Sequence, residues 1–333
     1  MNPDIQTPFR IGSVEIRNRV VLAPMSGVTD LPFRQLAWRY GAGLVVTEMV
    51  ASRELVSNTQ ESWSRLENSG IDPHMVQLAG RDPSWMAEGA RIAEAHGAQI
   101  IDINMGCPAK KVTGGLSGSA LMREPELALA IIEATVKAVK VPVTVKMRLG
   151  WDEQSINAPV LARRAQEAGV QLMTIHGRTR MQFYEGRADW GAIRAVRDAI
   201  SIPLIANGDV ESVSDIDAIL AQSGADAVMI GRSSRGRPWH AGVLAGHRIA
   251  PDAAEIAAIF EEHYRMMLDF FGSDVAVRHA RKHVSRYLEL HGGDLLPANR
   301  AEILMSRDPA FVIEKTVAAI IAANTFRDRR DAA

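Results

Sequence analysis

Cysteine is almost absent from this chain, with Cys107 the single thiol in 333 residues. That excludes an internal disulfide and any zinc site built from several cysteines. Long hydrophobic runs are missing as well, and none reaches the about 18 residues that a bilayer-spanning helix needs. The opening Met1-Asn2-Pro3-Asp4 lacks the basic-then-apolar layout of a secretory leader, so a cytoplasmic location and no membrane are expected. Nor is there an excess of charge of one sign. The formal net charge is −1, so a nucleic-acid partner would have to be met by a local basic patch. No His/Asp/Glu spacing resembles a metal motif such as H-E-x-x-H, and no metal is expected.

What the chain does have is apolar material, 47% hydrophobic against 23% charged residues, enough to bury a core. Short β-branched or apolar runs recur at 20–23, 44–47, 74–78, 100–103, 143–146, 172–175, 203–206 and 227–230. Near-continuous apolarity over so few residues is the pattern of strands covered on both faces. Helical patterns lie between them. Pro125 suits a first turn, with Leu127, Ala130, Ile131, Ala134 and Ala138 following at helical spacing. Ser212 and Asp215 form a capping-box-like pair before Ile216, Ile219 and Leu220, with Gly224 as the stop.

Eight strand–helix units between residues 20 and about 240 approach the about 250 residues of a (β/α)8 TIM barrel. An open doubly wound sheet is the competing layout. It is disfavoured because Ala23-Pro24-Met25-Ser26-Gly27 stands where a G-x-G-x-x-G would follow the first strand. Residues 9–19 alternate weakly and suit a hairpin across the barrel floor. Beyond Pro251 the strand signals stop, and 252–272, 274–290 and 309–326 read as helices broken at Gly272-Ser273. The expected architecture is α/β: a barrel over 1–245 followed by an all-helical domain over 246–333.

In such a barrel the chemistry gathers at the C-terminal ends of the strands. There the sequence offers Met25, Glu48, Gln77, Asn104, Lys146, His176, Asn207 and Gly231. Any one polar exit residue is ordinary turn chemistry, but six in eight point to a shared opening. Asn207-Gly208-Asp209 and Gly231-Arg232 follow the seventh and eighth strands, where barrels hold phosphates against backbone N–H groups. Cys107 follows the fourth strand beside a glycine and a proline, with Lys110 and Lys111 close behind. A lone cysteine is usually a small buried hydrophobe, whereas this setting suits an accessible thiol, and an ordinary thiol at neutral pH still has a proton to give. Lys146 could pair with Glu48 or Asp209, or form a Schiff base as in an aldolase. His176 reads equally as a structural hydrogen bonder or a ligand contact.

Taken in order, Ala23-Pro24-Met25, Glu48-Met49, Gln77-Leu78-Ala79-Gly80, Asn104-Met105-Gly106-Cys107-Pro108, Lys146-Met147-Arg148, His176-Gly177-Arg178-Thr179, Asn207-Gly208-Asp209 and Gly231-Arg232 resemble the tRNA-dihydrouridine synthases, in particular the bacterial branch called DusB or NifR3-like. The resemblance runs from about residue 8 to 290. It implies an FMN-bearing barrel and a helical tRNA-binding domain, reducing the C5–C6 double bond of a D-loop uridine with electrons from NADPH or NADH. It implies flavin contacts from Pro24, Met25, Ser26, Gln77, Lys146 and His176. Asn207, Gly208 and Asp209 would meet the ribityl-phosphate end, and Gly231 and Arg232 the phosphate. Cys107 would be the proton donor, and Asn104, Arg148 and Arg178 would address the nucleotide.

Extracting a loop base from folded tRNA costs a few kcal/mol of stacking, which phosphate contacts must offset. Besides Lys110, Lys111, Arg178, Arg180, Arg187, Arg235 and Arg237 around the mouth, His279, Lys282, His283 and Arg286 recur at helical spacing in the tail, with Arg278 and Arg281 adjacent. Lys282, His283 and Arg286 are the tRNA contacts expected there. Ser285-Arg286-Tyr287 stands where the family often has Gly-Trp-Tyr, which exchanges a stacking ring for a cation. A monomer is expected. Two other readings stay open on the residues alone: a flavin oxidoreductase for a small substrate, and a barrel that binds RNA without turnover.

Overall fold

The computed structural model describes residues 2–294 and 296–331. A two-stranded hairpin, β1 (Phe9–Ile11) and β2 (Val14–Ile16), precedes a parallel sheet. The sheet contains β3 (Val20–Leu22), β4 (Leu44–Val45), β5 (Val50–Ala51), β6 (Met75–Ala79), β7 (Ile100–Met105), β8 (Val143–Arg148), β9 (Leu172–His176), β10 (Leu204–Asn207) and β11 (Ala227–Ile230). Its order is β4-β3-β11-β10-β9-β8-β7-β6-β5. The two ends of that order are pieces of one barrel position. Val46 bridges Met75 in parallel, and the Thr47 N–H donates to the Met75 carbonyl at 3.1 Å, so the sheet closes on itself. The expected barrel is therefore present, with one difference. The second run is not a single strand over 44–47 but breaks at residues 47–49, where the Glu48 carboxylate turns to accept from the Gly27 N–H.

Inside the apolar runs a period of two is at work, because alternate strand residues point to opposite faces. Ile101, Ile103, Val143, Val145, Met147, Met173 and Ile175 face outward onto the barrel helices in the main core. Val21, Leu44, Met75, Ile100, Leu172, Ile205 and Ala227 face inward at the floor, where they meet Phe9, Ile11 and Ile16 of the hairpin. The hairpin is thus a plug, as its alternation suggested. Each fully buried Ile contributes about 2 kcal/mol by removal from water. Gly12 makes the hairpin turn with φ +57°, and a Cβ there would lie 1.9 Å from Gln171 Oε1.

The helix signals hold locally. Pro125 opens the helix Pro125–Ala138. Ser212 and Asp215 exchange side-chain-to-backbone bonds in a full capping box, and Gly224 ends that helix in the left-handed region. After the barrel come the helices Ala253–Phe271, Ser273–His291, Pro297–Met305 and Pro309–Asp331, of which Pro297–Met305 carries no clear sequence signal. They enclose a core of their own around Phe260, Tyr264, Val284, Tyr287, Leu288 and Ile313, extended by Trp239. No helix among the described residues is long and apolar enough to cross a membrane.

This bundle sits on the barrel helix Leu31–Arg39. Phe33 packs against His263 and His283 at 5.6 and 5.9 Å between ring centroids, and the two imidazoles lie 4.7 Å apart. Burial holds both rings neutral, lowering the His263 pKa to about 3 and that of His283 well below normal. In the unfolded chain a histidine takes its proton near pH 6.5. Below that pH the unfolded state therefore binds protons that the folded state refuses, and stability falls until the folded pKa is reached. We expect His263→Phe to lose about 2 kcal/mol less stability than wild type between pH 7 and pH 5. Urea denaturation at the two pH values checks this, and equal losses would remove His263 from the account.

Candidate active site

Above the apolar floor, the same inward positions become polar. Gln77 lies opposite Asp102, Asn104 opposite Lys146, Arg148 opposite His176, and His176 opposite Asn207 in the strand registers. The parallel ladder holds these side chains in a ring, and they bond to one another. Gln77 Nε2 donates to Asp102 Oδ2 at 2.7 Å, and Thr144 Oγ1 donates to Asp102 Oδ1 at 2.6 Å. Asn104 Nδ2 donates to Gln77 Oε1 at 2.7 Å, while Asn104 Oδ1 accepts from the Gly106 and Cys107 N–H groups at 3.2 and 3.0 Å.

Cys107 is a half-buried free thiol in the loop that leaves β7. Its carbonyl accepts from the Ser119 N–H and Oγ at 3.1 and 2.9 Å. Gly118, at φ +60°, passes so close that a Cβ would lie 2.8 Å from the Cys107 carbonyl oxygen. Arg148 Nε donates to the Gly106 carbonyl at 2.9 Å from the other side. The thiol is thus carried by a loop fixed on several sides rather than by a free turn.

The electrostatics follow from enclosure. Lys146 is half-buried, and loss of hydration, aided by nearby Arg148, lowers its pKa to about 8. Its ammonium donates to Asn207 Oδ1 at 3.2 Å, and Asn207 is itself held by the Met229 carbonyl. Neither Glu48 nor Asp209 is its hydrogen-bond partner. Burial, and then the cations Lys146, Arg148, Arg178 and Arg232, keep His176 neutral, and its Nδ1 has no partner among the described residues. Arg148 is lowered by burial only to about 10 and stays a cation at neutral pH. A wall with a mostly protonated lysine, an unpartnered imidazole nitrogen and fixed amides suits a flat heterocycle rich in carbonyls and ring nitrogens.

At the ends of β10 and β11, Gly208 (φ +129°) approaches Ala188 so closely that a Cβ would lie 2.6 Å from the Ala188 methyl. Asp209 takes φ +56° and accepts from the Ala188 N–H at 2.8 Å. Its carboxylate is gripped by both terminal nitrogens of Arg178, at 3.0 and 2.5 Å, and by Arg232 at 2.9 Å. Burial would raise its pKa, but these donors lower it below the usual carboxylate range. Gly231 faces Met25, with a Cβ there 3.7 Å from the Met25 sulfur, so the exits of β3 and β11 meet. Pro24 and Met25 are half-buried beside them and Ser26 is exposed. Over this edge lies Tyr184, its ring 5.0 Å from the Arg232 guanidinium and 5.4 Å from that of Arg148.

Comparison with known proteins bears on this site. A family model described as dihydrouridine synthase (Dus) matches residues 21–308. The chain belongs to the dihydrouridine synthase family. A probable tRNA-dihydrouridine synthase of Rhizobium leguminosarum bv. phaseoli is 69% identical over 309 residues, covering 93% of this chain and 97% of that protein. The tRNA-dihydrouridine synthase B of Pseudomonas aeruginosa is 47% identical over 286 residues, covering 84% and 86%. Among solved structures, morphinone reductase matches with a TM-score of 0.56 at 14% identity, over 76% of this chain and 92% of that one. Histamine dehydrogenase from Rhizobium sp. 4-9 matches with a TM-score of 0.56 at 14% identity, over 79% and 51%. These two likenesses speak to the fold. Family membership makes the protein an enzyme, a flavin-dependent oxidoreductase.

For a dihydrouridine synthase, most of the expected site residues converge at the C-terminal ends of the barrel strands, where Asn104, Cys107, Lys146, His176 and Asn207 stand together. Gln77 and Arg148 are enclosed among them, Arg148 held by the Gly106, Thr179 and Phe183 carbonyls. Two expectations need correcting. Arg178 is 1% exposed, and besides Asp209 it donates to the Glu185 and Gly186 carbonyls at 3.1 and 2.6 Å. It is a brace for the β9 exit loop and not a nucleotide contact. His283 is 4% exposed and faces His263 and Phe33, so it has no access to a phosphate. Its register, one residue beyond Lys282, turns it inward with Ala280, Val284 and Tyr287. The Asp209 carboxylate is held by the two arginines and its backbone stays at the β10 exit.

Lys282 does reach the barrel, its Nζ 2.7 Å from where a Gly27 Cβ would stand, whereas Arg286 pairs with Glu289 at 2.6 Å. Sequence reading missed Asp102 and Thr144, hidden inside apolar runs. Their signal is the polar residue at every second position, Asp102 then Asn104 and Thr144 then Lys146. Removing Arg178 leaves the enclosed Glu185 and Gly186 carbonyls without their donor and Asp209 with only Arg232 and the Ala188 N–H, a loss of about 2 kcal/mol. Arg178→Met should therefore lower the unfolding free energy by about that much and open the 177–190 loop to limited proteolysis. An unchanged denaturation midpoint would contradict the bracing role.

Proposed function

We propose that this protein is a tRNA-dihydrouridine synthase that reduces the C5–C6 double bond of a D-loop uridine, using FMN and electrons from NADPH or NADH. The observation that carries the reading is the half-buried Cys107 thiol, on a fixed loop at the end of the barrel strands that carry Lys146 and His176. When bound, the flavin supplies a hydride to C6 of the pyrimidine. Everything else is asked of this chain. Lys146, Gln77, His176 and Asn207 hold the flavin ring and ribityl chain, with main-chain contacts from Pro24, Met25 and Ser26. The Gly208, Asp209 and Gly231 backbone and the Arg232 side chain take the phosphate.

Asn104 has one amide N–H not used by its present bonds, and Arg148 is a buried cation, so both can stabilise negative charge as it spreads onto the uracil carbonyl. Cys107 gives its proton to C5 as general acid. The barrel, 1–245, is then the catalytic domain, and 246–333 helps seat tRNA through Lys282 and Arg286, together with Lys110 and Lys111 at the mouth. Residues 1, 295, 332 and 333 of those spans lie outside the described residues. Monomeric action in the cytoplasm is part of the same reading.

Cys107→Ala should keep its flavin absorbance yet form dihydrouridine in tRNA at least about 100-fold more slowly, in keeping with loss of a general acid. Mass spectrometry of tRNA after timed incubation measures this, and near wild-type formation would defeat the role. Lys146 is an ammonium below pH 8 and increasingly an amine above it. FMN added to stripped protein should bind most tightly below pH 8 and weaken as pH rises, and Lys146→Met should flatten that dependence. A flat wild-type profile would remove Lys146 from the flavin site.

A further inference from the structure

One buried carboxylate has no part in the chemistry above. Asp102 is 2% exposed and lies below the reacting residues, yet it is joined to Cys107 by an unbroken series of hydrogen bonds. We propose that Asp102 is a positioning residue that sets the direction of this series and thereby the placement of the Cys107 thiol. The argument is one of donor and acceptor inventory. An ionised carboxylate only accepts, so the Gln77 amide must turn its NH2 toward Asp102 and its oxygen toward Asn104. Asn104 must then turn its own NH2 toward Gln77, which leaves its oxygen for the Gly106 and Cys107 N–H groups. Burial raises the Asp102 pKa, and the bonds donated by Gln77 and by Thr144 Oγ1, with the nearby Lys146 charge, oppose that rise and favour the accepting carboxylate.

Without a fixed acceptor at the base, Gln77 and Asn104 could each rotate by half a turn at little cost. Rotation of Asn104 would point its NH2 at two backbone N–H groups. The loop could not keep its turn, and the thiol would move with it. The inference bears on rate through the reading that Cys107 is the acid, while its effect on the thiol itself stands apart from that reading.

Asp102→Asn is the test, in the purified flavin-bearing enzyme. The amide introduced there can offer its own NH2 to Gln77 and reverse the series. The expected result is flavin content and tRNA KM near wild type, a kcat for dihydrouridine at least ten-fold lower, and a several-fold change in the rate at which iodoacetamide alkylates Cys107, with an altered pH profile. The double variant Asp102→Asn/Gln77→Glu moves the carboxylate one place along. The carboxylate at position 77 then accepts from the new amide on one side and from Asn104 on the other, and alkylation should return to within about two-fold of wild type, as expected for coupled neighbours.

Asn104→Ala cuts the series at its far end, and its alkylation should not change further when Asp102→Asn is added. It also supplies the measurement should Asp102→Asn alone fold poorly. Alkylation within two-fold of wild type in Asp102→Asn, or no recovery in the double variant, would overturn the proposal. If the wild type forms no dihydrouridine while the alkylation pattern holds, the proposed function fails and the positioning role stands.

Discussion

A closed parallel barrel imposes a strict choice on every strand residue, because alternate positions face either the helices or the interior. The helix-facing set here is uniformly apolar. The interior set changes character along the barrel axis, from Val21, Leu44, Met75 and Ile100 at the floor to Gln77, Asn104, Lys146, His176 and Asn207 near the top. That gradient is what the site depends on. A polar side chain taken out of water must be hydrogen-bonded by its neighbours, so residues able to reach a ligand are also held by one another. Rigidity and reactivity come from the same constraint.

The two edges of the opening solve this in different ways. On the Cys107 side neutral amides rest on one carboxylate, and the Arg148 guanidinium braces the same loop at the Gly106 carbonyl. On the opposite side the bonds are ionic, with Asp209 between Arg178 and Arg232. Arg178 is wholly enclosed and Arg232 half-exposed, so a single carboxylate ties an internal brace to a cation that faces solvent. Burial of Arg178 is tolerable because carbonyls of its own loop share its donors. The arrangement leaves Arg232 directed but not consumed, as an anion-binding residue requires.

Much of this could be read from the chain. The strand runs, the plugging hairpin, the capping box at Ser212 and the exit residues are local signals, and local signals survive folding. What was illegible depended on which way a side chain turns. Asp102 and Thr144 sat inside runs read as uniformly buried, and only the closed register shows that their faces converge. His283 looked like part of a basic stripe with Lys282 and Arg286, but a helix face is about 100° per residue and the bundle core claims its side. Arg178 stood at a strand exit like the ligand-facing residues, yet its length lets it fold back onto Asp209. Long cations are the residues whose position in sequence says least about where their charge ends up.

The helical bundle meets the barrel at several places, among them Phe33, the turn after β3 and Gly236 beyond β11. Phe33 of the barrel helix packs against two uncharged imidazoles that touch each other, and from the bundle helix that carries His283, Lys282 reaches Gly27 in the turn that follows β3. Glu48, at the break in the second barrel strand, accepts from the Gly27 N–H on the other side. The interruption of that strand is therefore not a defect in the barrel. It brings a carboxylate to a point where bundle and barrel mouth meet, so that Gly27 has Glu48 on its N–H and the Lys282 cation close by. A tRNA bound across both parts would press on that turn, whose continuation through Pro24 and Met25 forms one wall of the proposed flavin pocket. On the proposed function, the seating of tRNA and the shaping of the flavin pocket would converge on the turn after β3.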